Sequence, residues 1–466
     1  MIFRLLHGTV GAVCLAGVLC AAIAFDRISA DSLRTNITWL AADQRGGRMT
    51  PSPGLEASAD YLAMQFRLFG LTPSGTEGTF FQTATFAQIT EKPSEFRMTL
   101  EAGSRRLSIG GNSVTVRSLA AIDYQNEPVV HLSGRPLSGR IPEIAGRVVA
   151  GDEGFATDAE LYLLEAQKPA LIILTIDGPR PKEEEPVLED ADPSIAPVIR
   201  IYNRAAAALL EGSEARLTLH VATPVRHDVT LRNVAGMLRG SDPALRDQVV
   251  IVSAHYDHLG VKPPGRGNRI FHGANDNASG DASLIEIAKA LGAEPHPRRS
   301  VLFLAVFGEE EGLLGSAYYV RHPLVPIART VADINLEQLG RTDSSDGPEI
   351  DRFALTGPSY SDLAQVMTAA AKAVGTAVYR KDTADDYFDR SDNYSFALAG
   401  IVAHTVVVAF EFPDYHAVSD EAGKIDYGNL VKVDRGIAAG VAAVANAAEA
   451  PKWSVKAART YRDAGR

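Results

Sequence analysis

One stretch constrains the fold more than any other. Ser300 to Val306 is a continuous apolar run, and Phe307-Gly308-Glu309-Glu310-Glu311-Gly312-Leu313-Leu314-Gly315-Ser316 follows it. The run reads as a buried strand, and Leu313 to Arg321 reads as an amphipathic helix. Adjacent carboxylates at a strand end repel one another and lose hydration on burial. A fold keeps such a pair when a positive charge offsets it. A metal ion is the commonest offset, one carboxylate serving as ligand while its neighbour handles protons. Taken alone, a Glu run is more often a solvated acidic loop. The rest of the chain decides between these readings.

From Val229 onward the pattern alternates strand and helix, as in an α/β core. Gln248 to Ser253 reads as a strand. Ser279 to Leu291 reads as a helix, capped by Ser279 and ended by Gly292. Val331 to Leu336 and Ile401 to Val408 are further strands, Tyr360 to Val374 a helix and Tyr427 to Ala447 a closing helix.

Polar residues gather just past these strand ends, where open α/β sheets place ligands. They are His255-Tyr256-Asp257-His258, the loop Gly273 to Gly280 with Asp276, then Glu309-Glu310, Glu337, and Tyr415-His416 followed by Ser419-Asp420-Glu421. Singly, each has a bland explanation: loop polars, an Asx turn, a surface Glu, an exposed His. Five such positions together are hard to explain by accident. Two His and three carboxylates suffice for two metals with one carboxylate bridging. Nitrogen and oxygen donors without sulfur suit Zn²⁺, with Co²⁺ or Mn²⁺ conceivable. Asp257, two residues past His255, is placed to fix the imidazole tautomer.

The 466 residues exceed one compact domain, and a formal net charge of −11 argues against a nucleic-acid binder. Arg4 precedes an apolar run, Val10 to Ala24, ending in Ala22-Ile23-Ala24. This resembles a secretory signal peptide over residues 1–24. An uncleaved membrane anchor is the alternative, because mostly apolar residues extend from Leu5 to Phe25. Leu19 is bulky for the processing that would lipidate Cys20. Cys14 and Cys20 are the only cysteines. A mature chain would therefore have no disulfides and no thiolate metal site. Export without cysteines fits a bacterial periplasm or the exterior.

Residues 25–117 read as the N-terminal part of the catalytic domain. Ala59, Leu62, Phe66 and Phe69 form one helix face there, with Gly70 as a C-terminal cap and short strands from Thr79 to Ile122. Residues 118–222 read as a separate α+β module. It holds strands at Gly146–Ala150, Ala170–Ile176 and Ala196–Ile199, and helices at Asp158–Gln167 and Tyr202–Leu210. Pro181 to Pro193 reads as a surface loop. Residues 223–450 form the catalytic core and 451–466 a C-terminal tail.

The sequence resembles the co-catalytic zinc metallopeptidases of the bacterial leucyl aminopeptidase and glutamate carboxypeptidase II family. The resemblance rests on His255-Tyr256-Asp257-His258-Leu259-Gly260, Gly273 to Gly280, Glu309 to Ser316, Ile334-Asn335-Leu336-Glu337 and Asp414-Tyr415-His416, found in family order from Arg232 to Asp426. It implies a three-layer α/β/α domain with a mixed central sheet. His255 and Glu337 would hold one zinc, His416 and Glu310 the other, and Asp276 would bridge them with a cis peptide to Asn277. Glu309 would be the general base and Asp257 the partner of His255. Glu337 stands where the family usually has Asp and reaches one methylene further. Asp392-Asn393-Tyr394 stands where relatives often have Asp-His, and Tyr394 is a candidate for oxyanion stabilisation. Residues 118–222 are similar to the protease-associated domain inserted in many such enzymes.

The resemblance implies an exopeptidase with two zinc ions that removes N-terminal residues from peptides. Alternatives on the same fold are a carboxypeptidase, which needs an Arg such as Arg341 or Arg390 for the substrate carboxylate, and a glutaminyl cyclase. From another class comes a relative that binds without catalysing. Side-chain specificity and oligomeric state are not legible in the sequence.

Overall fold

The computed structural model describes residues 25–461 except 136–141, 182–186, 212–213 and 293–294. The expected leader, with Cys14 and Cys20, lies outside the described residues. Among the described residues, no helix is long and apolar enough to cross a membrane.

The chain forms two compact units. Among the described residues, one joins residues 25–83 to 231–461, and the other spans 84–230. The inserted unit is thus wider at both ends than the 118–222 expected from sequence. The reason is strand pairing across long separations. Arg97–Ala102 and Arg105–Gly110 form a hairpin whose first strand pairs with Arg216–Val221. Val114–Arg117 pairs with Val198–Ile201. These strands close an apolar core of Met98, Leu100, Val148, Ile173, Ile199 and Leu217. The stretch expected as a surface loop contains a strand, Val187–Asp190, paired with Phe86 to Ile89.

The catalytic unit is built on a mixed sheet. Its strands are β1 (Val225–Leu238), β2 (Val249–His255), β3 (Ser300–Val306), β4 (Thr330–Glu337), β5 (Arg352–Leu355), β6 (Ala377–Val378) and β7 (Ala403–Val407). Their order is β6-β5-β7-β4-β2-β3-β1. β2 runs parallel to β3 and β4, and β4 parallel to β7. β1 and β5 are antiparallel to their inner neighbours. β2 and β3 are buried at every residue, which is why they read as unbroken apolar runs rather than alternating ones.

Two groups of helices flank the sheet. α1 (Ala30–Leu40), α3 (Ser279–Leu291), α5 (Leu363–Ala373) and α7 (Tyr427–Asn446) pack together, while α4 (Leu314–Arg321) packs with α6 (Asn393–Leu398). α2 (Pro53–Leu68) is capped by Ser52, whose side chain accepts from Leu55 N, and Gly70 follows it at φ +78°. Ser279 does not cap α3 as expected. Residues 274–278 already form a wide helical turn that runs straight into α3, so Ser279 sits inside the helix. Its hydroxyl donates to Asn275 O at 2.7 Å and accepts from Leu339 N at 3.0 Å.

The expected tail is docked over its described part. Val455–Thr460 is a helix, and Trp453 donates to Gly400 O at 3.1 Å.

Candidate metal centre

The parallel strands β2 and β4 end on ligand-type residues. His255 is the last residue of β2 and Glu337 the last of β4, and both are buried. Glu309 and Glu310 follow β3 in a turn closed by Leu314 N donating to Gly308 O at 2.9 Å. Asp276 lies in the loop before α3, and its peptide to Asn277 is cis. That loop is tied to the end of β4. Asn277 Nδ2 donates to Leu336 O at 2.8 Å, and Gly340 N donates to Asn275 Oδ1 at 2.8 Å. Asp420, expected only as a polar neighbour of His416, accepts from Asn275 N at 2.9 Å and Asp276 N at 3.1 Å.

The five ligand candidates converge. His255 Nε2 lies 3.2 Å from Glu337 Oε1 and 3.4 Å from Asp276 Oδ1. His416 Nε2 lies 3.2 Å from Asp276 Oδ2 and 3.3 Å from Glu310 Oε2. The two oxygens of Asp276 therefore face different histidines. Two donors on one tetrahedral zinc, each ~2.05 Å from it, are ~3.3 Å apart. All four distances fit that edge, so the residues suit zinc; His258, Asp276 and Glu310 also lie close enough together to hold a metal ion.

Charge supports the same reading. Burial, then Glu337 and Glu310, push Glu309 well above the carboxylate range, against the attraction of His255. Burial and the nearby Asp276 push Glu310 up to about 9. Asp276 is also buried, but His255 and His416 outweigh the desolvation and hold it below the usual range. Carboxylates this crowded call for added positive charge.

Asp257 is fully buried, with Oδ1 3.4 Å from His255 Nδ1. The same oxygen accepts from Glu309 N at 3.1 Å, and Oδ2 accepts from Thr50 Oγ1 at 3.2 Å. Asp257 thus joins the loop after β2 to the turn after β3. Tyr394 is not brought to the site. Its ring packs with Phe388 and Tyr461, because α6 turns it into an aromatic cluster.

Three residues were missed as site candidates. Tyr415 lines the cleft with Asp276, Glu309, Glu337 and His416, and its ring stacks on His416 at 3.9 Å. Burial and then the Asp276 and Glu310 carboxylates push its phenol up. His258 places Nδ1 2.7 Å from Glu310 Oε1. Arg48 is fully buried. It donates to Tyr256 O at 2.9 Å, Leu40 O at 2.8 Å, His272 O at 2.8 Å and Gly273 O at 3.0 Å. It therefore clamps both the loop after β2 and the loop that carries Asp276. Gly47, at φ +68°, makes that approach possible, since a Cβ there would lie 2.3 Å from Gly260 O.

The wall of the cleft beyond the carboxylates includes Thr356, Tyr387, Arg390, Val407, Phe410 and Glu411. Arg341 is not on it. It is buried and bound to Asp414 at 2.8 Å and to Asp343 at 2.5 Å.

The chain is similar to known proteins. Residues 233–441 match the family described as Peptidase family M28. A protein named as a probable lipoprotein aminopeptidase, from Mycobacterium tuberculosis, is 26% identical over 81% of this chain and 73% of its own length. An aminopeptidase of Bacillus subtilis is 32% identical over 38% of this chain, which spans only 35% of that relative. The solved structure of an aminopeptidase from an Aneurinibacillus strain has a similar fold. It is 19% identical with a TM-score of 0.50, covering 90% of this chain and 94% of its own.

Proposed function

We infer, from the premise that residues 233–441 belong to peptidase family M28, that the protein is a zinc-dependent aminopeptidase releasing N-terminal residues from peptides. One observation carries this reading: two imidazoles face opposite oxygens of Asp276, each closed by a further Glu at tetrahedral-edge distance. The names of the relatives support the exopeptidase assignment.

His255, Asp276 and Glu337 would hold one zinc, and His416, Asp276 and Glu310 the other. Bound zinc supplies Lewis-acid polarisation of the scissile carbonyl and lowers the pKa of water at the centre. Glu309, on the cleft wall beside Asp276, accepts the proton of the attacking water and returns it to the leaving amine. Tyr415 offers a hydroxyl to the oxygen that gains charge as the carbonyl is attacked. The surplus of carboxylates on the cleft wall suits a substrate with a free α-amine. Asp257 orients His255 and the Glu309 turn together.

A second reading rests on Arg390. It lines the cleft and has no carboxylate partner among the described residues, only the Tyr387 ring at 4.8 Å. A guanidinium so placed would receive a substrate carboxylate, as a carboxypeptidase requires.

Residues 84–230 would be the protease-associated module, with a role in admitting substrate and no catalytic residue. The leader-like N-terminus and the lipoprotein relative support export to the periplasm or exterior.

The test joins metal content of the purified chain to hydrolysis of aminoacyl-p-nitroanilides by wild type and Glu309→Gln. Two zincs per chain, chelator-sensitive turnover and a variant ~10²–10⁴-fold slower that keeps its metal support the aminopeptidase. Turnover only of N-capped peptides with a free C-terminus selects the carboxypeptidase. A chain that holds no metal overturns both.

A further inference from the structure

His258 is the one buried imidazole at the centre that the mechanism leaves without a task. Its side chain is fully enclosed, with Nδ1 2.7 Å from Glu310 Oε1 and 4.0 Å from Asp276 Oδ1. Its Nε2 is buried with no hydrogen-bond partner.

Two roles are open to such a residue: metal ligand or hydrogen-bond donor. The distances separate them. The ligand pairs His255–Glu337, His255–Asp276, His416–Asp276 and His416–Glu310 all lie at 3.2–3.4 Å. His258 departs from that edge in both directions, at 2.7 Å to one carboxylate and 4.0 Å to the other. A separation of 2.7 Å is that of a charge-assisted N–H···O⁻ bond.

The tautomer follows. A proton on Nε2 would be an N–H donor buried without an acceptor, which is unfavourable. The proton therefore sits on Nδ1 and points at Glu310.

The ring is fixed from three sides. His258 N donates to Arg48 O at 3.3 Å. Phe271 meets the ring edge-on at 6.4 Å. Gly273, at φ +57°, lies so close that a Cβ there would sit 2.6 Å from the imidazole. The consequence falls on Glu310. Its Oε1 is taken by His258, and its Oε2 faces His416 at 3.3 Å.

We propose that His258 is a positioning residue that ties up Oε1 of Glu310 and so restricts Glu310 to one-oxygen ligation of the zinc it shares with His416 and Asp276. A Glu free to bind through both oxygens would occupy a coordination position that substrate needs. This proposal rests on the two-zinc reading above, and assigns the role to an imidazole outside the ligand set.

The test uses the full chain, stripped of metal and loaded with Co²⁺, whose visible absorption weakens as coordination number rises. Metal stoichiometry, affinity and spectrum are compared for wild type, His258→Leu and His258→Asn, with circular dichroism as a check on folding. Asn places an amide N–H where Nδ1 was. The expected result is second-site affinity ~10–100-fold weaker in His258→Leu, with a weaker visible band, and recovery of most of both in His258→Asn. A His258→Leu protein matching wild type in affinity and spectrum overturns the proposal. So does His258→Asn failing as badly as His258→Leu while remaining folded, because that result makes the imidazole a ligand. Wild type binding fewer than two ions instead refutes the two-zinc reading, which is a separate outcome.

Discussion

Replacing Glu337 by Asp supplies the residue that the family resemblance leads one to expect, yet the geometry predicts that it damages this site. Glu337 uses both oxygens: Oε1 is 3.2 Å from His255 Nε2, and Oε2 accepts from Ser391 Oγ at 2.8 Å. Removing one methylene retracts the carboxylate by up to ~1.5 Å, one C–C bond. The backbone is held against following it. Glu337 is in register with Val407, and Leu336 O is held by Asn277. The retracted carboxylate would lie up to ~4.7 Å from Nε2, beyond the ~3.3 Å edge of a shared zinc. It would also lose the Ser391 bond while still buried, a loss of about 2 kcal/mol for a charged acceptor, or ~30-fold in affinity. The expected outcome for Glu337→Asp is a one-site loss of zinc affinity of ~30-fold or more, with the other site unchanged. Competition between the zinc-free protein and a chromophoric chelator, with stoichiometry by elemental analysis, measures it. Two zincs bound within twofold of wild-type affinity would refute the argument, because the sheet would then have to move to deliver the shorter side chain.

Tyr415→Phe keeps the ring stacked on His416 and removes only the hydroxyl. Turnover should fall ~10²–10³-fold with little change in KM, and an unchanged kcat in steady-state kinetics removes Tyr415 from the reaction. Arg48→Met leaves four carbonyl oxygens without their donor. Denaturant unfolding of the zinc-free protein should show a loss of ~3–5 kcal/mol, and a loss under ~1 kcal/mol contradicts the clamp. His404 is buried and pushed down from 6.5 to about 4, with Nδ1 2.7 Å from Thr356 O and Nε2 2.6 Å from Ser361 Oγ. Between those values the unfolded chain takes a proton that the folded one refuses. Stability from this residue is therefore complete above pH ~6.5 and lost towards pH ~4, by up to ~3 kcal/mol. His404→Gln should flatten that slope in unfolding measured across the window; an unaltered slope assigns it to other groups.

The convergence of the candidate ligands was legible because sheet and chemistry coincide. His255 and Glu337 end buried parallel strands of seven and eight residues, and the apolar residues within those strands mark them in the sequence. A run fixes where its strand stops, and hence where a polar residue emerges. Side-chain direction in the loops was not legible. His258 stood inside the quoted motif, but no periodicity says which way a loop residue points. Tyr394 and Tyr415 each adjoin a motif, and only the turn of α6 sends the first into an aromatic cluster. Arg48 gave no signal at all, since its partners are backbone carbonyls up to 225 positions away. The inserted unit was read too narrowly for a related reason. The hairpin from Arg97 to Gly110 joins the sheet only through Arg216–Val221, and Val114–Arg117 pairs only with Val198–Ile201. Ser279 has the chemistry of a cap, but the turn before it had already begun the helix.

The Arg48 clamp also bears on how the protein is made. Arg48 leaves the ribosome long before its acceptor Tyr256, 208 positions later, and the whole of residues 84–230 emerges in between. The inserted unit has a core of its own and can fold while the first helices of the catalytic unit still lack their partners. Closing so long a loop costs only slightly more entropy than closing a short one, so the delay is kinetic. Every ligand lies downstream of the insert and the clamp upstream. The proposed centre would thus mature only when residue 48 meets residues 255–416, and metal uptake would report that the chain has been made through His416.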